Sequence, residues 1–113
     1  MATIDVTQAL IGYNGKEIVF EKKADAGQAV IFWDFRTAAI MALRIPKEGQ
    51  TASEKYDIER LMALLHRKDS VTLKSEDVVL IKAVVGEHFS PELVGPMFRI
   101  LEPDTYTEEE SNA

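Results

Sequence analysis

Four helix-start signals recur along this chain, and each precedes apolar residues at helical spacing. The clearest is the capping box of residues 51–54, in which the Glu54 carboxylate reaches back to the amide of Thr51. The apolar residues that follow recur at i, i+3, i+4 and i+7: Ile58, Leu61, Met62 and Leu65. This spacing is typical of one buried helix face, and it predicts a mainly helical fold.

The other three signals predict helices before and after this one. Asp34 is a good N-cap for a helix over about residues 35–45. Ser75 is predicted to cap the third helix, which is unusually apolar and is therefore expected to be central or to present a second face to a partner. Ser90 begins the fourth, and Pro96 predicts a kink or a fresh helix start within it.

A β-hairpin is predicted before the helices. Ile4 to Leu10 and Glu17 to Phe20 are rich in β-branched and aromatic residues, and Asn14-Gly15 lies between them. Asn-Gly favours a type I′ turn, which needs two residues with positive φ. The hydrophobic stretch from Val30 to Trp33 fits either a third strand or the opening of a helix. The fold class is therefore α+β, mainly helical, with an N-terminal β-hairpin packed on about four short helices.

One domain over residues 1–102 and a disordered acidic tail over residues 103–113 are expected. The formal net charge of the chain is −6. From residue 102 onward there are five acidic residues and no Lys or Arg, so the remaining body has 14 acidic and 13 basic residues. The acidity is local, and an anionic partner of the body is not excluded.

The sequence contains no recognisable catalytic, metal-binding or nucleotide-binding motif. There is no cysteine, no nucleophile elbow and no phosphate-binding glycine loop. His66 and His88 lie near predicted helix ends, where a cation is favoured by the helix dipole, and their spacing is not that of metal ligands. We therefore expect no catalytic, metal or cofactor-binding residue, and a chain that is not an enzyme.

Candidate contact residues come instead from an aromatic segment and a group of basic residues. Residues 32–35 contain three aromatics, which cannot all face one core, and Trp33 with its neighbour Arg36 is the predicted interface anchor. The full candidate set for contact with a protein or a nucleic acid is Tyr13, Lys16, Lys22, Lys23, Trp33, Arg36, Arg44 and Lys47. Acidic residues are interleaved with it, so an ordinary mixed surface is the alternative.

Three stretches are similar to small accessory proteins of tailed bacteriophages and prophages. They are residues 13–18, the helix from Ala38 to Leu43, and residues 75–82 running on to Gly95 and Leu101. The resemblance consists of helix caps and apolar spacing, so no functional residue is carried over from it. It implies an accessory protein of the host cytoplasm that acts by binding in phage replication, transcription or host takeover.

These observations predict a non-enzymatic accessory or regulatory protein that binds a protein partner, as a homo-oligomer. The alternative is a single-stranded nucleic-acid-binding protein whose acidic tail regulates binding, in phage replication or transcription. No stretch approaches the ~20 apolar residues that cross a bilayer, and the first residues lack the pattern of a secretory signal. We therefore expect a cytoplasmic protein with no cofactor, no membrane partner and no small-molecule substrate.

Overall fold

A computed structural model describes residues 2–22 and 30–106 of the chain. Four helices and four short strands lie in these two ranges. In chain order they are β1 (Ala2–Asp5), β2 (Val19–Lys22), β3 (Val30–Phe32), α1 (Phe35–Arg44), α2 (Ala52–Arg67), β4 (Ser70–Leu73), α3 (Ser75–His88) and α4 (Pro91–Leu101). The predicted mainly helical α+β class, with an antiparallel strand pair near the beginning, is confirmed.

The first two helices begin where their capping residues predict. The Asp34 side chain accepts a hydrogen bond of 2.7 Å from the Thr37 amide. The Thr51 hydroxyl accepts from the Glu54 amide at 3.1 Å, and the Glu54 carboxylate accepts from the Thr51 amide at 2.8 Å. Side-chain oxygens thus satisfy amides that have no partner within the helix. The alternatives for Val30 to Trp33 are also resolved, because β3 is a strand and the helix starts after it.

The starts of α3 and α4 differ in detail from the predictions. Ser75 is the first helical residue rather than the cap, which is Lys74. The Asp77 carboxylate accepts from the Lys74 amide at 3.3 Å, so an acidic residue in the first turn satisfies this amide instead. The predicted fresh start at Pro96 is wrong, since α4 continues through it. The carbonyl left without a proline amide belongs to Glu92, an exposed residue, and water can reach it.

The predicted first strand, Ile4 to Leu10, is divided: its end pairs with the predicted second strand, since the Ile18 amide donates to the Leu10 carbonyl at 3.1 Å, but its beginning does not. β1 pairs antiparallel with β4, a strand that the sequence did not indicate, and Ile4 lies opposite Val71 with both side chains buried. β1 ends at Asp5 because its carboxylate accepts hydrogen bonds from the Thr7 amide (2.9 Å) and hydroxyl (2.6 Å). These bonds, from the hydroxyl first, lower the pKa of Asp5. They also turn the chain within the predicted strand from Ile4 to Leu10.

The Asn-Gly hairpin is present, but its turn is not type I′. The Gly15 amide donates to the Gly12 carbonyl (2.9 Å), and the Gly12 amide donates to the Lys16 carbonyl (2.8 Å). Gly15 has φ +78°, whereas no described non-glycine residue, Asn14 included, has positive φ. The Asn14 side chain instead accepts from the Lys16 amide at 3.0 Å. This is a type I turn completed by a left-handed glycine, the usual form of a longer hairpin loop.

Three chain segments meet in a closed ring of backbone hydrogen bonds above the helices. The Leu10 amide donates to the Trp33 carbonyl (2.9 Å), the Trp33 amide to the Ile18 carbonyl (2.8 Å), and the Ile18 amide to the Leu10 carbonyl (3.1 Å). Leu10 is fully buried, and the other two side chains pack against the core. The ring fixes the base of the β2–β3 ribbon, the two-stranded antiparallel unit formed by these strands.

The core lies between the helices and the inner face of the β1–β4 pair. α3 packs between α1 and α4, as its apolar composition predicts for a central helix. The fully buried side chains of the core include Phe35, Leu61, Ile81 and Met97. Among the residues whose burial the structure describes, Asp77 is the one buried charged residue, and its carboxylate lies 3.6 Å from the Arg60 guanidinium. None of the described helices is long and apolar enough to cross a membrane.

Candidate functional site

Arg36, predicted as a contact residue, is used inside the domain. Its Nε donates to the Leu65 carbonyl at 2.8 Å. One terminal nitrogen donates to the Lys68 carbonyl at 2.7 Å and to the Asp69 carboxylate at 3.0 Å. The guanidinium thus satisfies carbonyls at the end of α2, where the helix leaves them without partners. Arg36 connects α1 to the passage from α2 into β4.

The aromatic segment divides its side chains between core and surface, and Trp33 is not the most exposed of them. Phe35 is fully buried. Trp33 is half-buried against the core, with its ring edge-on to Phe89 at a centroid distance of 5.7 Å. Phe32, in contrast, is 41% exposed. The expectation that the three aromatics cannot share one core is confirmed, and Phe32 is the side chain that the fold presents outward.

Four of the remaining candidate residues come from two separate segments of the chain. Tyr13 and Lys16 are exposed in the Asn-Gly hairpin loop. Arg44 and Lys47 are exposed at the far end of α1, and Arg44 lies about 12 Å along the helix axis from Arg36. The structure therefore places these four candidates in two different segments, the Asn-Gly loop and the end of α1.

The two remaining basic candidates are Lys22 and Lys23. Lys22 is the last residue of β2. Lys23 lies outside the described residues. The predicted contacts of the eight candidates with a partner stay predictions, although their positions are now given for all but Lys23.

Large exposed hydrophobic side chains concentrate on one part of the molecule. Five of the nine found in the described ranges come from the Asn-Gly loop and the β2–β3 ribbon. We call these five the ribbon patch: Ile11, Tyr13, Val19, Ile31 and Phe32, which are 45%, 84%, 48%, 38% and 41% exposed. Ile31 precedes Phe32 in β3 and so lies on the other face of that strand. Scattered apolar residues on a surface need no explanation, but a concentration of them indicates an interaction site.

The centre of the ribbon patch is a cross-strand pair. Val19 and Phe32 are register partners, so their side chains lie side by side on one face of the ribbon. Ile18 and Trp33, one residue away in each strand, lie on the opposite face and pack against the core. Sequence alternation alone would not have identified this outer face, because apolar residues occupy both faces of the ribbon.

The ribbon also has unused backbone edges. In the described part of the chain no third strand pairs with β2 or β3. A two-stranded unit is marginally stable in water, and unpaired edges can accept a strand from another chain. The ring of hydrogen bonds at its base holds this ribbon in place. The ribbon thus presents exposed apolar side chains and unpaired backbone edges on a fixed support.

A second side-chain cluster holds the chain after α4 against α3. The Lys82 ammonium donates to the Glu102 carboxylate at 2.6 Å and to the Tyr106 hydroxyl at 3.1 Å. It also lies 5.0 Å from the centroid of the Phe98 ring and 4.9 Å from that of Tyr106. The hydrogen bond to Glu102, then that to Tyr106, raises the pKa of Lys82. Tyr106, which lies within the predicted tail, is therefore held against α3 and α4.

The described residues contain no group of three or more His, Asp or Glu side chains that could hold a metal ion. His66 and His88 lie in the last turns of α2 and α3, as their dipole-favoured positions predict. The buried carboxylate of Asp77 has a local structural partner in Arg60. The ribbon patch is thus the feature of the described structure that most needs a functional explanation.

No family model matches this chain, and searches of curated proteins and of solved structures also return no significant match. The ribbon patch and the contacts around it are therefore the basis for inferring a function.

Proposed function

We propose that this chain is a non-enzymatic accessory or regulatory protein that binds a protein partner through the ribbon patch and self-associates. The observation that supports this most is the Val19–Phe32 pair, whose members are 48% and 41% exposed on a ribbon with open edges. Covering each of these side chains would contribute about 1 kcal/mol. Phe32 replaces Trp33 as the proposed aromatic anchor.

The surroundings of the pair fit the usual composition of an interface. Lys16 and Glu17 are exposed beside the Asn-Gly loop, where they would form a polar rim next to the apolar centre. A partner strand could add backbone hydrogen bonds along an open edge of the ribbon, while Phe32 supplies side-chain specificity. Both contributions come from surfaces that folding of the domain leaves uncovered.

Sedimentation velocity over a range of protein concentrations tests the self-association part of the proposal. We expect the wild type to form oligomers as its concentration rises, and Phe32→Ser to shift the distribution toward monomer. Tyr56→Ser is the matched control, because Tyr56 is 68% exposed on α2, away from the ribbon patch. Equal effects of the two substitutions would contradict a specific role for the patch.

Binding of a different protein is tested separately in cells by a photo-crosslinking amino acid at position 32 and, as control, at position 56. Discrete crosslinked species at position 32 and not at position 56 are the expected result. A monomeric wild type together with equal crosslinking at both positions would refute the proposed function.

Single-stranded nucleic-acid binding stays the alternative. It is less favoured because Arg36 is hydrogen-bonded inside the domain, and Arg44 lies at the other end of α1, about 12 Å along the helix axis from Arg36. An oligonucleotide titration separates the two functions, since phosphate binding weakens steeply with salt. Absence of oligonucleotide binding at ~50 mM salt would exclude the nucleic-acid-binding function. A phage accessory context and a cytoplasmic location are proposed on the sequence alone.

A further inference from the structure

A groove runs along α4 on the side that faces the Asn-Gly loop. Its first part is lined by Tyr13, Pro91, Glu92, Gly95, Pro96 and Arg99. It continues past Gly95 and Arg99 to Phe98, Thr105 and Tyr106. We call the two parts together the α4 groove. It connects the loop to the last described residue of the chain.

Arg99 is the cation of the α4 groove and has no described ionic partner. Its terminal nitrogen donates to the Ile11 carbonyl at 3.3 Å, and no carboxylate of the described residues lies within ion-pair distance. A Cβ at Gly95 would lie 3.3 Å from a terminal nitrogen of Arg99, so the glycine leaves room for the guanidinium along the helix. Because a guanidinium carries five N–H donors, this exposed Arg99 has capacity to bind a carboxylate.

The charges around Arg99 are mixed. Lys16 is exposed on the loop next to Tyr13 and likewise has no described ion pair. Glu92 lines the groove, and Glu17 is exposed near Lys16. Of these four charged residues, Arg99 and Glu92 line the groove itself, and Glu92 would weaken the attraction of Arg99 for an acidic segment.

An acidic segment of this chain begins at the end of the same groove. Tyr106 is held there by its hydrogen bond to Lys82 and by ring contact with Phe98 at 5.4 Å. The sequence continues with Thr107 and then Glu108–Glu110. These carboxylates are two to four residues beyond the anchor, and an extended chain of four residues spans about 14 Å. Tyr106 and Arg99 line the same part of the groove, so a segment of this length is expected to reach Arg99.

We propose that the α4 groove binds an acidic peptide segment and that its occupant in this chain is Glu108–Glu110. The tether at Tyr106 makes the contact intramolecular, with an effective concentration of the order of millimolar. Exposed ion pairs are individually weak and are screened by salt, so the contact forms at low ionic strength and exchanges with open states. A segment bound in the groove would cover Tyr13, which also belongs to the ribbon patch. Interference with partner binding by the patch is the one consequence that rests on the proposed function.

The absence of cysteine allows a direct test in the full chain. Ser111→Cys receives a nitroxide spin label, and paramagnetic broadening of backbone amides is measured by NMR. At ~20 mM salt we expect the amides of residues 13–16 to lose more than half of their peak intensity, and to recover at ~0.5 M salt. Amides at the start of α2, residues 52–56, report the effect of random encounters.

Two variants separate the groove contact from mere proximity to the anchor. Arg99→Gln, and the triple variant with Glu108–Glu110 changed to Gln, should each restore the loop intensities. Arg67→Gln is the matched control, because Arg67 is exposed at the end of α2 and should leave them unchanged. Broadening confined to residues 98–106, or loop broadening that neither salt nor either variant alters, would overturn the proposal. Neither result depends on self-association or partner capture by the ribbon.

Discussion

Replacing Arg36 with methionine tests whether this residue stabilises the fold or serves a partner. The substitution removes the hydrogen bonds to the Leu65 and Lys68 carbonyls while keeping an unbranched apolar side chain in place. A hydrogen bond from a charged donor contributes about 1.5–3 kcal/mol. Water can replace the bond at the exposed Lys68, so we expect the free energy of unfolding to fall by about 3 kcal/mol rather than by the full sum.

The loss should be measured by urea unfolding followed by far-UV circular dichroism. With a slope of about 1.5 kcal/mol per molar urea for a domain of this size, the midpoint should fall by about 2 M. The same change corresponds to a lowering of the melting temperature by about 15 °C.

Asp69→Ala is the control, because it removes only the salt bridge of the same guanidinium. The Asp69 side chain is 82% exposed, and such pairs contribute little in water. We therefore expect it to cost less than about 0.5 kcal/mol. If Arg36→Met cost no more than Asp69→Ala, the bonds to the α2 carbonyls would not stabilise the domain, and a contact role for Arg36 would regain support.

Five further substitutions are checked by the same unfolding measurement. Gly86→Ala should raise the free energy of unfolding by about 0.5–1 kcal/mol, because alanine loses less conformational entropy and its Cβ, in the last turn of α3, would lie an ordinary 4.0 Å from the Phe98 ring. Gly15→Ala, at φ +78°, should lower the free energy of unfolding by about 1 kcal/mol. Phe35→Ala should cost about 3–5 kcal/mol since the ring is fully buried, and equal costs for Phe35→Ala and Phe32→Ala would contradict the assignment of Phe32 to the surface. The raised pKa of Lys82 stabilises the fold below the ordinary lysine value of 10.5, and this contribution is lost as pH rises through the raised pKa. The Lys82→Met variant should therefore be less stable than the wild type near neutral pH. Between about pH 8 and about pH 11 its free energy of unfolding should fall by less than that of the wild type. Equal losses would contradict a stabilising role for the contacts of Lys82 with Glu102 and Tyr106.

Local sequence signals determined the helices and most of their ends. Asp34 and Thr51 each cap a helix by accepting a hydrogen bond from an amide three residues away, so the interaction that starts the helix depends on neighbouring residues. Ser75 shows the limit of such reasoning, because Asp77 satisfies the amide of Lys74 and moves the start by one residue.

Strand pairing was decided by contacts between distant residues. Ile4 pairs with Val71 across the whole of β2, β3, α1 and α2, and no local pattern specifies a partner at that separation. The Asn-Gly signal correctly indicated a hairpin, yet the Asn14 side-chain bond to the Lys16 amide selected a different turn from the one expected.

The candidate site divides in the same way. The sequence alone determined that residues 32–35 must send their aromatic side chains to more than one environment, because alternation along a strand and the start of a helix cannot bury all three together. Only the tertiary structure decided that Phe32 faces solvent, that Trp33 packs on Phe89, and that Arg36 bonds the end of α2. The physical reason is that a side chain's exposure depends on which distant elements pack over it, whereas its periodicity and capping depend on its immediate neighbours.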